Sequence, residues 1–256
     1  WFPPKDAHAL WHPQAVLLLL LPLPFLSPSF PEPALPGDQA LQNILASILN
    51  YADSKAIISG RMALGGQDAN GAADAQTMQL ARVHGPGDVR IDRVPVPACG
   101  RGEALIRVGA CGICGSDLGY IAQGSLGGVE PLHEPLPIGH EFAGTVVRVG
   151  EGVEGVHAGM RVAVNPDRGY IGGGGPDGAM AQYIRVSGAE LGETLFPLPD
   201  SLPFAEASLA EPLSVALHGL KGARVRPGER VAIIGAGPIG LCAVVMARHL
   251  GAAQIA

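Results

Sequence analysis

The stretch RVAIIGAGPIG at positions 230–240, continued by LCAVVMARHL to position 250, decides how the carboxyl-terminal part of this chain folds. Arg230–Ile234 reads as a short apolar strand, Gly235–Gly240 as a glycine turn, and Leu241–Leu250 as a helix. A strand, a G-x-G-x-x-G turn and a helix in that order open a doubly wound α/β sheet. Gly235, Gly237 and Gly240 permit the tight turn. With Pro238 and Ile239 they leave bare backbone at a helix N-terminus, where a pyrophosphate can approach. A carboxylate about 20 residues further on would read the ribose, but nothing acidic follows Gly240. A complete sheet of this kind needs on the order of a hundred residues, whereas about thirty follow Arg224, so the expectation is a domain cut short, at 224–256.

Upstream, the texture is different. Phe204–Gly222 has helical spacing, with Leu209, Leu213, Leu217 and Leu220 three or four apart. Before it come short apolar runs punctuated by Gly and Pro: Val89–Val94, which alternates apolar and polar, then Ala104–Val108, Glu141–Val149, Met160–Val164 and Ala179–Val186. Such a run of short strands predicts a compact, mostly antiparallel β-domain over 78–223. Residues 1–77 differ again. They open on Trp1, are crowded with proline, and carry an apolar run, Ala15–Leu26, of 12 residues broken by Pro22 and Pro24. A bilayer span needs roughly 20 residues, and a signal peptide would want a basic start and a small-residue cleavage site. The expectation is therefore a disordered or non-native extension, with a short helix at Gln39–Tyr51, a linker over Ser59–Thr77, and Met78 as the natural start.

A net charge of −6 with no Lys/Arg cluster argues against nucleic acid or an anionic membrane as partner. The four cysteines are too few and scattered for a disulfide scaffold. Only Cys111 and Cys114 are close, a pattern that in a cytoplasmic protein, the expected location, points to metal or redox chemistry.

Two motifs and a third piece carry that chemistry. CGICGSD spans Cys111 to Asp117; GHE, Gly139 to Glu141, follows about 25 residues later; and Glu211 stands in AEPLSVALH. A thiolate, an imidazole and a carboxylate from separate segments can meet on one zinc ion and leave a fourth position open, the layout of a catalytic site. A closed structural site would want a second cysteine pair, which the chain lacks. Each residue alone has a plainer reading: two buried thiols, a hydrogen-bonded turn histidine, an acidic residue favoured at a helix start.

The stretches HGPGDVRIDRVPVP, CGICGSD, PIGHEFAGTVVRVG, MRVAVNP, AEPLSVALH and VAIIGAGPIG together resemble the zinc-dependent medium-chain alcohol dehydrogenases, of the sorbitol, threonine, idonate and butanediol dehydrogenase kind. The resemblance implies a mostly β GroES-like catalytic domain followed by the first β-α unit of an incomplete Rossmann domain. It implies hydride transfer from a secondary alcohol or polyol to a nicotinamide cofactor, NAD by family default with NADP not excluded. Cys114 then matches the thiolate ligand, His140 the imidazole ligand, and Glu141 and Glu211 the two carboxylates; which of these binds zinc directly stays open. Ser116 matches the hydroxyl that relays the substrate proton, and Asp117 the carboxylate that orients the ligands. Cys111, His133 and His218 match no ligand and read as structural. The family also suggests a homo-oligomer, paired through strands of a half this sequence does not contain.

Two departures qualify the match. Many relatives read GSDLH, but position 119 is Gly, so the proton leaves through solvent or through Tyr120. Relatives often carry a four-cysteine zinc lobe where this chain has NPDRGYIGGGGPDG, 165–178, so one catalytic zinc and no structural zinc is expected. The competing readings are an inactive or incomplete fragment of such an enzyme, and a zinc-free quinone or enone reductase of the same superfamily, whose members generally lack the Cys, His and Glu set.

Overall fold

A computed structural model describes residues 77–126 and 130–256. The expected amino-terminal extension, with its apolar run and the helix at Gln39–Tyr51, lies outside the described residues. Those described form two compact units, 77–211 and 212–256.

The first unit is built on antiparallel strands. β1 (Thr77–Gly85) pairs with β2 (Asp88–Pro95) through the turn at Pro86–Gly87, and on its other side with the two-residue β6 (Leu136–Pro137). A five-stranded sheet is ordered β10-β8-β7-β3-β9, from β3 (Glu103–Cys111), β7 (Phe142–Val149), β8 (Arg161–Val164), β9 (Tyr183–Ser187) and β10 (Leu195–Pro197). β4 (Ser125–Leu126) and β5 (Glu130–Pro131) form a small ladder beyond helix α1 (Gly115–Gln123). The strands read at Glu141–Val149 and Ala179–Val186 are present as β7 and β9, whose Phe142, Val146, Ile184 and Val186 are buried together with Ile106 and Leu195. At about 25 cal/mol per Å² of apolar surface, that cluster is the main driving force of the unit. β7 and β3 approach so closely that a Cβ at Gly144 would overlap the Arg107 carbonyl oxygen, which explains a glycine inside a strand.

Three elements differ from the expectation. β1 was not foreseen; Met78 and Leu80 are buried on one of its faces and Ala81 and Val83 on the other, up to a bulge between Val83 and Gly85. β2 is an edge strand whose Val89 and Ile91, on one face, stay exposed, while Val94 on the other packs against the Met78 and Leu80 cluster. The single helix read over Phe204–Gly222 is two: α2 (Phe204–Ala207) and α3 (Ala210–Gly222). Pro212 has no N–H to donate, so it belongs in a helix's first turn, and a helix must start just before it.

The second unit holds most of α3, the short β11 (Arg230–Val231), α4 (Pro238–His249) and β12 (Gln254–Ile255). β11 and β12 pair in parallel, and α4 is the connection between them, as in a β-α-β crossover. Ala216 and Leu220 of α3 are buried against Cys242, Ala243 and Ala247 of α4 and Val231 of β11. Among the described residues, no helix is long and apolar enough to cross a membrane.

Candidate metal centre

β3 delivers the first ligand. It ends at Cys111, the chain turns through Gly112 and Ile113, and Cys114 becomes the extended N-cap of α1, at φ −83° and ψ 156°. The Asp117 side chain turns back and accepts the Cys114 N–H at 2.8 Å, satisfying one of the donors a helix start leaves unpaired. α1 stops at Gly124, whose left-handed φ of 59° lets its N–H return to the Tyr120 carbonyl at 2.8 Å.

The second pair of ligands comes from the turn before β7. Gly139 sits at φ 91° and donates its N–H to Asp117 at 3.0 Å. His140 and Glu141 follow, and the Glu141 carbonyl accepts the Gly112 N–H at 2.7 Å. The Glu141 carboxylate lies over the first turn so tightly that a Cβ at Gly112 would overlap its Oε2. A side chain at position 112 would displace the Glu141 carboxylate, so the glycine keeps that carboxylate its place over the turn.

One ligand atom from each of Cys114, His140 and Glu141 lies within 4.8 Å of the other two. Asp117, fully buried, ties both turns together and sits 3.8 Å from His140 Nδ1. Ser116 lies close enough to the Cys114 thiol and the Tyr120 phenol to oppose the pKa rise that burial causes in each. Glu211, in the first turn of α3, is near enough to raise Glu141 by charge repulsion and to be stabilised itself by His140, but it stands outside the mutually close three. Cys111, His133 and His218 are likewise outside that cluster.

The electrostatics ask for a cation. Burial pushes the Cys114 thiol up to about 11, against the opposing effect of Ser116. Burial, then the charge of Glu211, raises Glu141 to about 7. Burial also raises Asp117 and Glu211, each opposed chiefly by His140. Three carboxyls and a thiol are thus gathered in a partly dry place around one imidazole. Thiolate, imidazole and carboxylate are the donor set of a catalytic zinc ion, and a divalent cation would favour the ionised form of each acid. The residues present fit the metal.

In the second unit, Gly235 adopts φ 110°, Gly237 is the extended N-cap of α4 and Pro238 opens the helix. Gly240 packs against the turn, where a Cβ would overlap the Gly235 carbonyl oxygen. Gly235, Gly237 and Pro238 are exposed, so the helix start stands open to solvent.

Sequence reasoning missed two close approaches at the first site, Gly112 under Glu141 and Gly172 against Gly139. Their only trace in the sequence is a glycine, which among 37 glycines singles out nothing.

Residues 100–200 match the alcohol dehydrogenase GroES-like domain. Sorbitol dehydrogenase of Bacillus subtilis (strain 168) is 37% identical over 199 residues, covering 70% of this chain and 55% of the relative. Sorbitol dehydrogenase of Bos taurus is 35% identical over 207 residues, covering 72% and 55%. The crystal structure of 2R,3R-butanediol dehydrogenase from Bacillus subtilis superposes with a TM-score of 0.61 at 34% identity, covering 70% of this chain and 56% of that one. The chain thus spans about half the length of the curated relatives it matches. With a Cys-His-Glu cluster inside it and a strand–glycine turn–helix after it, the β-domain of this chain is an alcohol dehydrogenase GroES-like domain, and about 70% of the chain is similar to sorbitol and butanediol dehydrogenases.

Proposed function

We propose that this chain carries the catalytic zinc site, and part of the nucleotide site, of an oxidoreductase that transfers a hydride from a secondary alcohol or polyol to a nicotinamide cofactor. The observation that carries the reading is the convergence of Cys114, His140 and Glu141 within 4.8 Å in a partly buried site. When bound there, zinc supplies Lewis acidity that lowers the pKa of an alcohol oxygen, and the nicotinamide supplies hydride-accepting chemistry. Cys114, His140 and Glu141 are the direct ligands in this reading, and Glu211 is a nearby carboxylate in reserve. Asp117 holds the Cys114 and Gly139 amides, and through them the two ligand turns, in one geometry. Ser116 takes the substrate proton at its hydroxyl oxygen as it gives up its own, which leaves to solvent directly or through the neighbouring Tyr120 phenol, Tyr120 releasing its own proton to solvent as it accepts that of Ser116. Tyr120 so does the work that a histidine at position 119 would do. Gly235, Gly237, Pro238, Ile239 and Gly240 present backbone to the cofactor's pyrophosphate, the cofactor being NAD in our reading.

Metal analysis tests the assignment. The purified chain is expected to hold one zinc per molecule, and Cys114→Ala to hold less than a tenth of that. Unchanged zinc in Cys114→Ala would remove the chemical basis of the reading.

A further inference from the structure

The glycine-rich loop at 165–178 is built against the ligand turn. Gly172, at φ 61°, lies on the backbone of Gly139: an added Cβ would overlap the Gly139 carbonyl oxygen and stand 2.6 Å and 2.9 Å from its carbonyl carbon and nitrogen. At the end of the same loop, a Cβ at Gly178 would meet Ile138 N and O, each at 2.7 Å. The next two residues bond to the same turn, Ala179 N–H to the Gly139 carbonyl at 2.9 Å and Met180 N–H to the Ile138 carbonyl at 3.0 Å. Gly139 is also crowded on its own Cβ side: a Cβ there would be 2.6 Å from Met180 Cγ and 2.9 Å from Cys111 Sγ. The loop is itself anchored. Ile171 is 4% exposed and packs in the main core, Gly172 N–H bonds to the Asp177 carbonyl at 2.9 Å, and the Asp177 carboxylate accepts from Arg185 at 3.1 Å.

We infer that Gly172 is a positioning residue for the metal site: the loop clamps the backbone of Gly139 through the Cβ-free face of Gly172 and so fixes the direction in which the next residue, His140, presents its imidazole. The inference rests on the zinc reading above and adds to it a part for the loop. A ligand whose support is displaced by a few tenths of an ångström no longer meets the metal at its preferred distance. Disturbing the residues that orient metal ligands typically weakens metal binding by about 10- to 100-fold.

The experiment compares zinc affinity, by competition with a chromophoric chelator, and the ligand-field spectrum of the cobalt-substituted protein, in wild type, Gly172→Ala, Gly169→Ala and Asp177→Ala. Gly169 is the internal control. It belongs to the same loop and has a left-handed φ of 86°, so alanine strains it comparably, but a Cβ there meets nothing within 4 Å. Gly172→Ala is expected to lose at least about tenfold in zinc affinity and to shift the cobalt bands, with Gly169→Ala within about twofold of wild type in affinity and its bands unmoved. Asp177→Ala, which adds no atoms and only loosens the anchor, is expected to weaken zinc by about threefold, and it decides the matter if Gly172→Ala does not fold. Equal affinities in Gly172→Ala and Gly169→Ala, or a wild-type affinity in Asp177→Ala, would overturn the clamp while wild-type zinc binding still stands. A wild-type chain that takes up no zinc overturns the metal reading and the clamp with it.

Discussion

At the scale of single residues, Asp117 shows how much of this site is made by a group that is not a ligand. It is fully buried, its two oxygens accept the Cys114 and Gly139 amides, and burial raises its pKa because only His140 and those amides compensate its charge. Asparagine has nearly the same shape, but only its oxygen accepts, so one of the two backbone donors would face an NH₂ group and go unmet. Asp117→Asn is therefore expected to weaken zinc binding by about 10- to 100-fold and to lower stability by roughly 1–3 kcal/mol. Chelator competition and thermal melting of the metal-free protein measure the two effects separately. A variant with wild-type zinc affinity would show that the two turns hold their geometry without this bridge. The pairing of Cys114 with His140 and Glu141 was legible because each stands in a short motif of chemically uncommon residues. The clamp at Gly172 was not, since its evidence is the distance between two backbones remote in sequence.

At the scale of elements, local sequence fixed most boundaries and long-range contacts fixed the rest. Gly124 ends α1 and Pro212 starts α3, both by rules that need no knowledge of the fold. The break between α2 and α3 was thus readable at Pro212, although leucine spacing alone had suggested one helix. β11 is shorter than its apolar run because its ladder with β12 covers Arg230–Val231 only, followed by Ile233 N–H bonding to the Ala256 carbonyl at 2.7 Å. The glycine turn between β11 and α4 divides its labour in a way that two substitutions separate. Gly240→Ala would drive a Cβ into the Gly235 carbonyl oxygen, an overpacking that costs about 1–3 kcal/mol. Gly237 has an ordinary φ of −76° and nothing within 4 Å of its would-be Cβ, so Gly237→Ala is expected to leave stability within about 1 kcal/mol. That same Cβ stands where a pyrophosphate would approach the start of α4. Fluorescence titration with NADH should then show weakened binding in Gly237→Ala at a near-wild-type melting temperature. Tight NADH binding by Gly237→Ala would assign the exposed turn no part in cofactor recognition.

At the scale of the whole molecule, the cores of the two units share no residue: one is centred on Phe142, Ile106 and Leu195, the other on Leu220, Val231 and Ala243. The residues that cluster for a metal all fall in the first, and they bring together chain positions that β3, α1 and the turn before β7 place separately. A cation held by Cys114, His140 and Glu141 therefore acts as a cross-link inside one unit. A ligand that binds only the folded form stabilises it by about 2.7 kcal/mol at a hundredfold excess over its Kd, and that gain is confined to whatever unfolds together with the site. Hydrogen exchange with zinc and then with chelator should consequently slow, in the zinc form, at Gly112–Asp117, at Gly139–Phe142 and at Ala179–Met180, whose amides bond to the ligand turn. Amides of α4 and of β12, which answer to the second core, should exchange at the same rate in both states. Equal slowing across both units would mean that the chain unfolds as a single body and that the separation of cores carries no energetic weight. Slowing nowhere would mean that the three side chains meet without binding a metal.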